Sequence, residues 1–212
     1  GGRVNARGAI DFDENLLQAR GLPPTALGLT ANLDLPLDPI AQLYDVELPI
    51  PLGRLTAEAD VTGPLAEPEA IATWQLSDGI AVGSGQIDYA DTLATLRNTQ
   101  LTVADSGSVT AAGQANLATQ QIDVNADVLI PLDEVAQRSA IALPAGFTLG
   151  TLTATATTTG ALLNPTAEAL WQLSDGTVPG QGRLTYGDQL ASIRDTTFNV
   201  GGGILEASGQ AD

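Results

Sequence analysis

"GQANLATQQIDVNADV", Gly113–Val128, separates the architectures open to this chain. Its second half sets Ile122, Val124, Ala126 and Val128 against Asp123, Asn125 and Asp127. Strict period two with one polar side is the pattern of a strand in an antiparallel sheet that is wet on one face. The first half alternates in the same way, and the few polar residues between the halves are enough for a tight turn. The stretch therefore reads as strand, turn, strand.

It matters because it crosses the boundary of an internal repeat. The hexapeptide "WQLSDG" occurs as Trp74–Gly79 and again as Trp171–Gly176. Upstream, "TGPLAEPEAIATWQLSDG" (Thr62–Gly79) matches "TGALLNPTAEALWQLSDG" (Thr159–Gly176) without a gap. Downstream, "GSGQIDYADTLATLRNTQLTV" (Gly83–Val103) matches "GQGRLTYGDQLASIRDTTFNV" (Gly180–Val200) at the same offset of 97. "GSVTAAGQAN" (Gly107–Asn116) then matches "GILEASGQAD" (Gly203–Asp212), and "PLDPIAQ" (Pro36–Gln42) matches "PLDEVAQ" (Pro131–Gln137). "VNARGAID" (Val4–Asp11) looks like the tail of an earlier copy. The expected organisation is residues 1–28 as that tail and its connection, 29–124 as repeat 1 and 125–212 as repeat 2. The chain reads as a piece of a longer array.

Each unit is written in strands. "LTANLDLPL" (Leu29–Leu37) and "SVTAAGQANL" (Ser108–Leu117) alternate like Ile122–Ile130, and Ser-Asp-Gly, Gly-Asp and Asp-Ser-Gly supply turns. One short helix per unit is expected, over "DPIAQLY" with Asp38 as its cap and over "DEVAQRS" (Asp133–Ser139). Two architectures accommodate such a repeat: tandem immunoglobulin-like sandwiches, each closed on its own core, or one long sheet curled into an open trough. Sandwiches require a boundary with few crossing contacts, and Gly113–Val128 leaves no room for one. Ala, Gly and Thr also occupy many inward positions where a sandwich core wants bulk. The expected fold is all-β: an elongated, continuous, curved antiparallel sheet.

Composition removes whole classes of function. The 212 residues carry 25 acids against 8 basic residues, every one an arginine, for a net charge of −17. Such a chain cannot neutralise phosphates, which excludes nucleic acid as a partner. There is no Lys, His, Cys or Met, so thiol nucleophiles, imidazole bases, Schiff-base lysines and disulfides are absent. The carboxylates fall at turns and outward strand positions, the pattern of a solvated face rather than of a glycosidase pair. "DFDEN" (Asp11–Asn15) opens like a calcium loop, but Glu14 breaks the spacing and no Gly follows. No enzyme activity, metal or cofactor is expected. No apolar run is long enough to span a membrane as a helix. The paired Gly83/Gly85 and Gly180/Gly182 read as strand bends or bulges.

Repeats of the form "TGxLxxPxAxAxWQLSDG…GxGxLxYxDxLxxLR…GxLxAxGxA", acidic and without lysine, resemble the TamB family of diderm bacteria and its AsmA-like relatives. The elements that carry the likeness are Trp74–Gly79, Trp171–Gly176, Ala112–Ala115 and Ser208–Ala211. The resemblance implies a U-shaped sheet, the β-taco, with a hydrophobic inner groove. It implies a translocation and assembly module anchored in the inner membrane and crossing the periplasm. Its cargo would be phospholipid, its partners phospholipid acyl chains and an outer-membrane assembly protein met through regions outside this chain, and its role outer-membrane biogenesis. The period-two runs then nominate the groove lining: Leu29, Leu33, Leu35, Val46 and Leu48; Trp74, Leu76, Ile87 and Tyr89; Leu101, Val103 and Val109; Ile122, Val124, Val128 and Ile130; Trp171, Leu173, Leu184 and Tyr186; Phe198, Val200 and Leu205. The competing function is that of a surface or adhesin protein built from tandem sandwiches.

Overall fold

The computed structural model describes residues 2–11, 26–43, 51–64 and 66–211. Thirteen strands form one antiparallel sheet in chain order. The first is β1 (Arg3–Asp11), and β2 (Ala26–Pro36) leads into a seven-residue helix, α1 (Leu37–Leu43). Next come β3 (Arg54–Gly63), β4 (Glu69–Ser77), β5 (Ala81–Ala90), β6 (Leu93–Val103) and β7 (Gly107–Asn116). β8 (Gln121–Pro131) leads into α2 (Leu132–Arg138), and β9 (Thr151–Ala161) and β10 (Asn164–Ser174) follow. β11 (Gly180–Gly187), β12 (Leu190–Val200) and β13 (Gly203–Ala211) complete the sheet.

The decisive stretch folds as read. β7 and β8 pair across the repeat boundary, with Gln114 opposite Asp123, Gly113 opposite Val124 and Val109 opposite Val128. The tandem-sandwich architecture would need two facing sheets in every unit; here each strand bonds to its chain neighbours and the sheet stays single. It is open and uncurled, with β1 and β13 as its edges. In strands, β2–β7 and β8–β13 are equivalent sets of six. Residue 124, the expected end of repeat 1, lies in the middle of β8.

Two local features correct the sequence reading. Asp38 does not cap its helix: α1 begins one residue earlier, and α2 begins after Pro131 with no side-chain cap. Instead the Asp38 carboxylate accepts hydrogen bonds from the Leu52 and Gly53 amides (2.6 and 3.0 Å), and that of Asp133 accepts from Leu149 and Gly150 (2.8 and 3.0 Å). The carboxylate clamps the start of the next strand because those amides, in a non-repetitive segment, have no ladder partner. The Ser-Asp-Gly turns also work differently from a simple glycine turn. Asp78 and Asp175 take the left-handed conformation (φ 61° and 60°), which Asp tolerates. Gly79 is required for space, since a Cβ there would come within 2.6 Å of the Leu52 carbonyl oxygen.

Among the described residues no second layer lies on the sheet. The buried apolar ones are Ala104, in the turn after β6, and Ala136, in α2, and no large side chain is fully buried.

Candidate functional site

Residues directly opposite each other in an antiparallel ladder point to the same face. Following the register from strand to strand therefore sorts the whole sheet. Starting from Val128, one line runs through Val109, Leu101 and Gly83 to Leu76 and Leu55. In the other direction it runs through Ala154, Trp171 and Gly182. A second line from Val124 passes through Gly113, Leu96, Ile87, Ala72, Ala59 and Ala31. Among the paired positions of this face there is no Asp, Glu or Arg in any of the thirteen strands. Its polar groups are the hydroxyls of Thr99, Thr158, Thr196, Tyr89 and Tyr186. Thirteen strands at about 4.8 Å spacing make it about 60 Å long.

Of the residues nominated from the sequence, Val46 and Leu48 lie outside the described residues. All the others fall on this one face. Leu29, Leu33 and Leu35 come from β2, Trp74 and Leu76 from β4, Ile87 and Tyr89 from β5. Leu101, Val103 and Val109 come from β6 and β7, and Ile122, Val124, Val128 and Ile130 from β8. Trp171 and Leu173 stand on β10, Leu184 and Tyr186 on β11, Phe198 and Val200 on β12, and Leu205 on β13. The sequence reading missed Leu55, Leu152, Leu96 and Ile193 on the same face. The first two were legible in "RLTAEADV" and "TLTATATT". The other two were not, because a bulge separates each from the apolar residues that follow it on its strand.

The bulges explain how the face stays free of charge. Counting back from Leu101 by twos reaches Thr99 and then Arg97; from Phe198 it reaches Thr196 and then Arg194. The β6 register slips between Leu96 and Thr99, and the β12 register between Ile193 and Thr196. Asn98 and Asp195 sit there with φ of 50° and 49°. One extra residue inverts the facing. Leu96 and Ile193 consequently point to the apolar side, and Arg97 and Arg194 to the other.

Beside each bulge stands a tryptophan. Trp74 is opposite Gly85 and Trp171 opposite Gly182, each with an alanine, Ala57 or Ala154, on its other flank. A Cβ at Gly85 would lie 2.6 Å from Trp74 Cζ2, and one at Gly182 would lie 2.8 Å from Trp171 Cζ2, so each indole lies flat against bare backbone. The neighbouring Thr99 and Thr196 are buried. Trp171 also packs on Phe198, ring centroids 5.8 Å apart at 39°.

Although none of the described residues covers the face, most of its side chains are half-buried by lateral contact with one another. Leu184, Tyr186, Val200 and Leu205 are 41–57% exposed. The opposite face carries the charge. Arg54 pairs with Asp34 at 2.5 Å, Arg97 with Asp88 at 2.8 Å and Arg183 with Glu168 at 3.4 Å, all solvent-exposed pairs of small energetic weight. The hydrogen bond from Arg54 holds the Asp34 carboxyl below the usual carboxylate range. A depression of about 630 Å3 is lined mostly from this charged face, by Thr110, Asp127, Thr155, Arg183 and Asp195 together with Leu129 and Leu170, with Val128 and Trp171 of the apolar line also bordering it.

No family model, curated protein or solved structure matches the chain. Its function has to be argued from the face itself. Among the described residues no helix is long and apolar enough to cross a membrane, and no cluster of carboxylates has the makings of a metal site.

Proposed function

We propose that this chain is a non-enzymatic segment of an envelope-spanning conduit of the TamB type. Its apolar face carries phospholipids through the periplasm between the inner and outer membranes. The observation that supports this reading most is the charge-free face, continuous over thirteen strands and both repeats with no layer upon it. Soluble proteins rarely leave contiguous apolar patches of more than a few hundred Å2 uncovered. A strip about 60 Å long fits a long, mobile apolar cargo better than one docked partner.

In the working state the sheet bends into a U with the charge-free face inside and one short helix per repeat at its rim. The bulges beside Gly85 and Gly182 supply bending points, since a bulge raises local twist and curvature. Carboxylates outside and aliphatics inside shield acyl chains from water. The full-length protein is anchored in the inner membrane, and regions outside this chain meet an outer-membrane assembly protein, through which it also aids assembly of outer-membrane proteins.

Photo-crosslinking tests the proposal. Crosslinkers at Leu33, Leu101, Val124 and Phe198 should capture phospholipid in cells, while those at Asn32, Asp123 and Asn125, on the opposite face, should not. Val124→Asp should leave the sheet folded by circular dichroism and block passage, because an unpaired charge among lipid tails costs several kcal/mol. Equal capture at both sets of positions, or capture at neither, would sink the reading.

A further inference from the structure

The ends of the strands form two rims along the apolar strip, because in a sheet laid down in chain order every second connection falls on the same side. Their charges are one-sided. The rim made by the β5–β6, β7–β8, β9–β10 and β11–β12 turns and by residues 64 and 66–68 carries Glu67, Asp91 and Asp188 among the described residues, and no arginine. The opposite rim presents exposed Asp78 and Asp175; of its described arginines, Arg138 is paired with Asp105 and Arg54 with Asp34, while Arg3 stands at the start of the edge strand β1. Acids alone would specify nothing. Here they border both sides of a strip that has no charge of its own, so a lipid whose tails lie on the strip must hold its headgroup beside carboxylates.

We infer, on the basis of the conduit reading, that the strip selects phospholipids whose headgroup carries a cationic amine and no net charge over anionic phospholipids. The reasoning is electrostatic. With the tails on the apolar face, the phosphate lies level with the rim and the amine projects beyond it, where it can pair with a rim carboxylate. An anionic headgroup such as glycerol phosphate offers no cation and is repelled. The rim carboxylates are exposed, so the preference is modest and sensitive to salt.

The measurement is a competition. Purified chain is incubated with vesicles of equimolar phosphatidylethanolamine and phosphatidylglycerol, recaptured, and its bound lipid analysed by mass spectrometry. Phosphatidylethanolamine should be enriched by about fivefold, the fold-change of one exposed ion pair at the upper end of its range. At about 1 M salt, where the Debye length falls to about 3 Å, the ratio should return towards unity. The variant Asp78→Asn, Asp91→Asn, Asp175→Asn, Asp188→Asn should bring it there at low salt. All four positions have positive φ (49–61°), a conformation that Asn adopts as readily as Asp, so the fold is kept. Lipid bound without headgroup preference, or a preference that the variant and salt leave untouched, overturns this inference and leaves the conduit standing. No bound lipid of either kind overturns both.

Discussion

The two six-strand sets, β2–β7 and β8–β13, agree on one face and have diverged on the other. On the apolar side they match position for position: Trp74 and Trp171 against glycine, Leu76 and Leu173, Ile87 and Leu184, Tyr89 and Tyr186, Leu101 and Phe198. The charged side keeps Gln75 and Gln172, Ser77 and Ser174, and Arg97 and Arg194, but diverges at most of its other positions. β2 and β3 bring Asp34 to Arg54, whereas the equivalent places in β8 and β9 hold Leu129 and Thr151. Water accepts an ion pair or a threonine at nearly equal cost, but a face that must remain apolar from one unit to the next accepts only apolar residues. The difference locates the functional constraint on the charge-free side.

The closest equivalence between the units is at the strand starts, and breaking it should have the largest effect. Gly53 and Gly150 share a left-handed φ (80° and 79°), and a Cβ on either would collide with the carbonyl oxygen of Ser77 or Ser174. Gly53→Ala and Gly150→Ala should each cost about 3 kcal/mol or more, strain and overpacking together. Urea denaturation of both variants checks this, and a loss in only one would show that the units are not equivalent there.

Next in size are the carboxylate clamps. Asp38→Ala and Asp133→Ala each remove two charge-assisted hydrogen bonds to otherwise unpaired amides, for an expected loss of about 2 kcal/mol. Faster amide exchange at Leu52 and Gly53, or at Leu149 and Gly150, should report the lost clamp directly. Protection that is unchanged would mean the carboxylates are incidental.

A smaller effect should be confined to the first unit. Asp34 has a carboxyl pKa lowered chiefly by its hydrogen bond from Arg54. A group whose folded-state pKa is depressed contributes stability that is present above its unfolded value, about 3.9 for Asp, and lost as pH falls through the folded value. An NMR titration should show Asp34 ionising below the unfolded-state value for Asp, with the gap closing in high salt and in Arg54→Ala. The second unit has no counterpart to titrate.

Smallest of all should be Asp127→Asn on the exposed side of β8, a change of only a few tenths of a kcal/mol in thermal unfolding. A loss above about 2 kcal/mol would mean that this carboxylate is not solvated as its position implies.

Much of the fold was legible because period two is a local signal. The residues nominated from alternation in the described strands reached one face, since a strand tells its own side chains apart without knowing its neighbours. The trough, by contrast, was an expectation of the repeat reading that the family resemblance reinforced, and the structure is an open, uncurled sheet. The role of Asp38 was misread because an Asp before a short apolar run has the local signature of a helix cap, while the amides it binds lie 14 and 15 residues away.

The all-β class, the repeat and the strands follow from composition and short-range pattern. That the two units share one unbroken sheet, and that among the described residues no layer packs on it, rests on long-range pairing. That pairing alone placed Arg97 and Arg194 on the charged side. Counting by twos would have put both arginines on the apolar face, and the pairing of β6 and β12 with their neighbours on both sides reveals the extra residue that turns them away. A bulge is a mismatch between two strands, and one strand read alone cannot contain it.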